Sequence, residues 1–120
     1  MTNTTFEVES LVEALADPTR RAIVTMLCER STSVTALADA LPVSRPAVSQ
    51  HLKVLRDVGL VADRPEGTRR IYSVQPEALA AVSAYFEDFW QRSLMAFRLA
   101  AEATSEPSIT PDRNERQEHP

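Results

Sequence analysis

Cysteine occurs once in these 120 residues, as Cys28, so no intrachain disulfide can form and the fold has to rest on its apolar core. Lysine is equally scarce: Lys53 is the only lysine among the thirteen basic side chains, a bias that reads as compositional and not as mechanism. No stretch approaches the ~20 consecutive apolar residues that a membrane-spanning helix needs. The opening MTNTTFEVES has neither the basic start nor the apolar core of a secretory signal. A glycine-rich phosphate loop, a nucleophile constellation and a cluster of metal-ligating side chains are all missing. The expectation is a cytoplasmic protein that does not enter a membrane, is not an enzyme and carries no cofactor or metal.

What is present is the composition of a globular domain, 43% apolar and 25% charged, in a chain long enough for one ordinary core and too short for two. The formal charge of −4 looks unsuited to nucleic acid, but the charges are unevenly placed. Between residues 44 and 73 there are six basic side chains (Arg45, Lys53, Arg56, Arg64, Arg69, Arg70) and three acidic ones (Asp57, Asp63, Glu66), a local excess of three positive charges. The remainder of the chain therefore carries −7.

The apolar spacing predicts a mainly α fold with one small β-hairpin, in the order α-α-α-α-β-β-α. Val8, Leu11, Val12 and Leu15 repeat at helical spacing in a first short helix. Asp17 caps a second helix over 17–30 with Pro18 at its first position, and Ser33 opens a third that ends at the turn Leu41-Pro42-Val43. Ser44 starts a fourth, which stops at Gly59, a residue suited to a left-handed helix end. Strands over 60–64 and 70–74 flank Glu66-Gly67 as a hairpin. A last helix runs from Pro76 to about Ala103. The folded domain is expected over 6–103, with disordered residues 1–5 and a proline-rich, nearly apolar-free tail over 104–120.

Two helices joined by a tight turn, the second with a polar face and followed by a basic hairpin, make a winged helix-turn-helix. Val48, Leu52 and Leu55 define the inward stripe of the fourth helix, which leaves Pro46, Ser49, Gln50 and Lys53 outward to meet base edges, with Ser44 and Arg45 at its start. Arg45 suits a phosphate or a base equally. Arg64, Arg69 and Arg70 on the hairpin suit backbone or minor-groove contact, against the alternative of an ion pair to Asp63 or Glu66. Strand alternation sends Arg69 and Arg70 to opposite faces. His51, beside the buried stripe, is expected as a packed, hydrogen-bonded residue, with a phosphate contact as its alternative. Cys28 is expected in the core, against a redox use. Arg20 and Arg21 are expected to pack at a helix end. The last helix carries more apolar surface than a small core needs, so Leu11, Leu15, Val82, Phe86, Phe89, Trp90 and Phe97 form the expected dimer interface, an effector pocket being the alternative for the aromatics.

The stretches ALADPTRRAIVTML (14–27), VSRPAVSQHLKVLRDVGLV (43–61) and EGTRRIYSV (66–74) together resemble the ArsR/SmtB family of bacterial winged-helix transcription regulators over roughly residues 11–100. The resemblance implies a homodimer, joined through first and last helices, that binds a pseudopalindromic double-stranded DNA operator and usually represses, often its own promoter. Metal-sensing members place a Cys-x-Cys pair on the third helix, where this chain has SVTALADAL, or use Asp, His and Glu on the last helix, where it has no histidine. The SRPAVSQHL form is similar to a branch that often lacks metal sites. The sequence names no effector. The reading from a different class is a winged-helix module that binds another protein and uses DNA little.

Overall fold

A computed structural model describes residues 7–104, so the expectations for residues 1–5 and for the tail beyond Thr104 lie outside the described residues. The element order is α1 (Val8–Ala14), α2 (Pro18–Glu29), α3 (Val34–Ala40), α4 (Arg45–Asp57), β1 (Val61–Glu66), β2 (Arg69–Val74) and α5 (Pro76–Thr104). Two compact units divide this order: one through Tyr85, and one beginning at Phe86 within α5. Thr104, expected in the tail, is the last residue of α5 and bonds its Oγ1 to the carbonyl of Ala100 at 3.1 Å.

In the first unit the short helices are held at their ends by side chains placed for that purpose. Asp17, Ser33 and Ser44 each sit in extended backbone and accept a hydrogen bond from the amide three residues on, at Arg20, Ala36 and Ala47. Among α1 to α4, α1 is the one without a side-chain cap at its start, Glu7 making none. Its far end is closed instead by the two arginines of the DPTRR sequence. Arg20 Nε donates to the Ala14 carbonyl at 2.7 Å, and Arg21 Nη1 to the Leu15 and Ala16 carbonyls at 2.9 and 3.1 Å. Two cations thereby satisfy carbonyls that a helix C-terminus leaves without partners.

The core of this unit gathers Leu11 from α1, Ile23, Val24 and Leu27 from α2, Leu37 from α3, Val48, Leu52 and Leu55 from α4, Leu60 and Val61 at the hairpin base, and Ala78 and Val82 from α5. Five helices thus share one apolar centre, with the hairpin at its edge. Helix α4 ends at Asp57 with Val58 as its C-cap, followed by Gly59 with φ 91°, the left-handed residue that lets the chain reverse into β1. The strands pair antiparallel from Val61 opposite Val74 to Glu66 opposite Arg69, one or two residues further toward the turn than the sequence pattern predicts. Gly67, φ 66°, takes the first turn position, where a two-residue hairpin of type II′ needs positive φ. The hairpin is also tied to the α2–α3 loop: Thr32 and Tyr72 exchange backbone hydrogen bonds at 3.1 and 2.8 Å, adding a one-residue third strand.

In the second unit, α5 presents Phe86, Phe89, Trp90, Leu94, Met95, Phe97 and Leu99, all exposed. No helix among the described residues is long and apolar enough to cross a membrane.

Candidate nucleic-acid interface

Helix α4 buries one side and offers the other. Val48, Leu52 and Leu55 are at most 1% exposed, whereas Ser44, Arg45, Pro46, Ser49, Gln50 and Lys53 are all exposed. At 100° per residue, Ser49, Lys53, Pro46 and Gln50 fan across the side opposite the buried stripe. Ser44 does more for the helix than for a ligand, because its Oγ accepts from the Ala47 amide at 3.2 Å. Lys53 reaches Asp57 at 3.2 Å in an exposed i,i+4 pair. Pairs of this kind contribute only about 0.3–0.5 kcal/mol, so the ammonium is readily exchanged onto a phosphate.

His51 is held between α4 and the start of α2. Its Nδ1 lies 3.4 Å from Arg20 Nη1 and 3.7 Å from Asp17 Oδ2. Nδ1 therefore lies between a guanidinium, which only donates, and a carboxyl oxygen. His51 is half-buried here, with Arg20 and Asp17 as neighbours.

The wing divides its arginines. Arg70 Nε donates to Asp63 Oδ2 at 2.6 Å, and Arg56 Nη1 from the last turn of α4 approaches the same oxygen at 3.5 Å. The Asp63 side chain is 10% exposed, and the hydrogen bond from Arg70 holds its carboxyl below the usual carboxylate range against the opposing effect of burial. Arg64 pairs with Glu66 at 3.7 Å. The ion-pair alternative therefore describes Arg70 and Arg64. Arg69 and Arg45 are exposed and have no ion pair or hydrogen bond from their side chains among the described residues. Both line an open cleft of about 290 Å³ between the start of α3, the start of α4 and the hairpin. Ser33, Val34 and Arg70 also line it, and sequence patterns missed the remaining wall residues, Thr35, Thr68 and Tyr72, because none of these stands out on a helix or strand read alone.

These placements join an exposed polar helix face, a basic wing and the turn between α3 and α4 in one unit. The sequence pattern described as "Bacterial regulatory protein, arsR family" matches residues 17–63, which run from the cap of α2 into β1. The HTH-type transcriptional regulator Rv2034 of Mycobacterium tuberculosis (strain H37Rv) is 55% identical over 85 residues, 71% of this chain and 79% of that protein. The chain belongs to the ArsR family. It is a DNA-binding transcriptional regulator with a winged helix-turn-helix fold. A crystal structure described as a possible transcriptional regulator for arsenical resistance superposes with a TM-score of 0.65 at 44% identity, over 80% of this chain and 97% of that one. The transcriptional repressor SmtB of M. tuberculosis (strain CDC 1551) is 43% identical over 72 residues, 60% of this chain and 53% of that protein.

Two expectations need correction. Cys28 is exposed and not part of the core. On α2 the buried stripe is centred on Ile23, Leu27 and Val24, and residue 28 falls a further 100° round from Leu27, past the edge of that stripe. Leu11 and Val82, assigned to a partner surface, are 0% and 9% exposed within the protomer's own core and have almost no surface to offer. Leu15 is half-buried, while Phe86, Phe89, Trp90 and Phe97 are 47%, 48%, 59% and 71% exposed. Among the described residues no three Cys, His, Asp or Glu side chains converge as a metal site would require.

Proposed function

We propose that this family member is a homodimeric repressor, working in the cytoplasm, that occupies a pseudopalindromic operator with one α4 in each of two successive major grooves. The polar face of α4 carries this reading: Ser49, Gln50 and Lys53 stand exposed opposite a stripe that is fully buried. Gln suits a bidentate contact to adenine, and the arginines supply phosphate contacts that set affinity without reading sequence. Two-fold symmetry places the recognition helices about one DNA turn apart, roughly 34–36 Å. The second protomer is engaged through Phe89, Trp90, Leu94 and Phe97 of α5, with Phe86 alongside and Leu15 of α1 contributing its exposed part. No catalysis or cofactor is involved, and the cysteine-free SVTALADAL of α3 supports a place in a branch without the Cys-x-Cys metal site.

Gel retardation with the DNA upstream of the protein's own gene tests the proposal. The wild type shifts a fragment at low salt, and Gln50→Ala relaxes base preference at defined operator positions by about 1–3 kcal/mol. No retardation at low salt would leave the protein-binding module as the reading. Retardation with unchanged base preference in Gln50→Ala would show that the reading face is misassigned.

A further inference from the structure

We propose that the cleft between α3, the first turn of α4 and the wing is a single phosphodiester pocket, in which Arg45 and Arg69 grip the same DNA phosphate. The inference rests on the DNA-binding reading above and sharpens it, because sequence alone leaves Arg45 equally suited to a base or a phosphate. Three arginines, Arg45, Arg69 and Arg70, are among the residues lining the cleft, and no acidic residue is. Arg70 is already engaged by Asp63, whereas Arg45 and Arg69 have no ion pair among the described residues. Two residues with exposed hydroxyl side chains, Thr35 and Thr68, line the cleft beside this pair of cations, together with Val34 and Tyr72. A space of about 290 Å³ is roughly ten times the ~30 Å³ share of one liquid water, which admits a phosphate group with part of its hydration.

The two cations come from different elements, the first turn of α4 and the start of β2. The backbone hydrogen bonds between Thr32 and Tyr72 tie β2 to the loop that leads into α3, and Tyr72 is itself part of the cleft wall. One phosphate held by both arginines therefore sets the depth and register of α4, and with it which bases Ser49 and Gln50 meet. Arg45 and Arg69 act in this account as positioning residues, so their effects should be coupled. Two arginines on separate phosphates would instead act independently.

A double-mutant cycle on operator binding, combined with methylphosphonate scanning of the DNA, decides the matter. Arg45→Ala and Arg69→Ala each weaken binding by about ten-fold, as expected for a charge-assisted hydrogen bond, and the double variant by little more than either alone. Replacing one particular phosphate by a neutral methylphosphonate abolishes the effect of both substitutions. Circular dichroism confirms that these exposed substitutions leave the fold intact. Additive losses that map to two different phosphates, with the wild type binding normally, overturn the shared pocket alone. Failure of the wild type to retard its operator removes the DNA-binding reading itself. Titration with inorganic phosphate alone gives no saturable binding at micromolar concentration, and saturation there would assign the cleft to a free phosphate ligand instead.

Discussion

Asp63 engages two of the cations at the wing, Arg70 and Arg56. It accepts from Arg70 at 2.6 Å and faces Arg56 at 3.5 Å, so it joins the two hairpin strands and ties them to the end of α4. Its carboxyl is held below the ordinary value of 3.8, chiefly by the Arg70 hydrogen bond. A depressed folded-state pKa stabilises above the unfolded value, and that contribution disappears as pH falls through the folded one. Thermal melts of the wild type and Asp63→Asn should accordingly differ most at neutral pH and converge as the solution is acidified below about pH 4. A difference that grew on acidification would contradict this assignment. The same substitution releases Arg70 and Arg56. Non-specific DNA affinity at low salt should rise, and the slope of log affinity on log salt should steepen by up to about 0.9 for each cation that reaches a phosphate.

At the scale of elements, α4 carries the proposed DNA-facing residues and depends on its start. Ser44 Oγ caps the Ala47 amide, and Arg45 follows it directly into the helix. Ser44→Ala should lower stability by about 0.5–2 kcal/mol, measured by urea unfolding, with DNA binding affected only as far as the helix frays. Ser44→Asp restores the cap but places a negative charge beside Arg45, so stability should return while affinity falls. If Ser44→Asp bound as tightly as the wild type, no phosphate would pass near this helix end. Elements of this kind were legible in the sequence because caps and stripes are local: Asp17, Ser33 and Ser44 mark the starts of α2, α3 and α4 by chemistry that acts within four residues. Cys28 was misread because a helix rich in apolar residues still has an edge, and composition does not locate it. The cleft around Arg45 and Arg69 was not legible at all. It is assembled from α3, α4 and a hairpin strand held by a single backbone bridge at Thr32, and no periodicity within one element records such a pairing.

At the scale of the molecule, one protomer presents a single α4, and the proposed repressor needs two. The chain carries −7 outside residues 44–73, so repulsion keeps most of the surface off DNA and leaves binding to the local excess of three positive charges. A surface that small makes weak contact alone. Linking two half-sites through a dimer turns the second contact into an intramolecular event, which typically strengthens binding by about 10²–10⁴. The apolar side chains of α5 fit that linkage: Phe89, Trp90, Leu94 and Phe97 are exposed together, and at 100° per residue they lie within one broad face of the helix. Trp90→Glu, at 59% exposure, removes an aromatic anchor and places a charge where a partner's apolar surface would meet it, with little disturbance to the protomer's own core. Sedimentation should show a monomer, circular dichroism an unchanged helix content, and binding to the full operator a loss of at least about a hundred-fold. Affinity for an isolated half-site should stay as it was, because α4 and the wing are untouched. A variant that remained dimeric would move the interface off this face of α5. A monomeric variant that still bound the full operator as tightly as the wild type would show that the two half-sites are not linked through the protein.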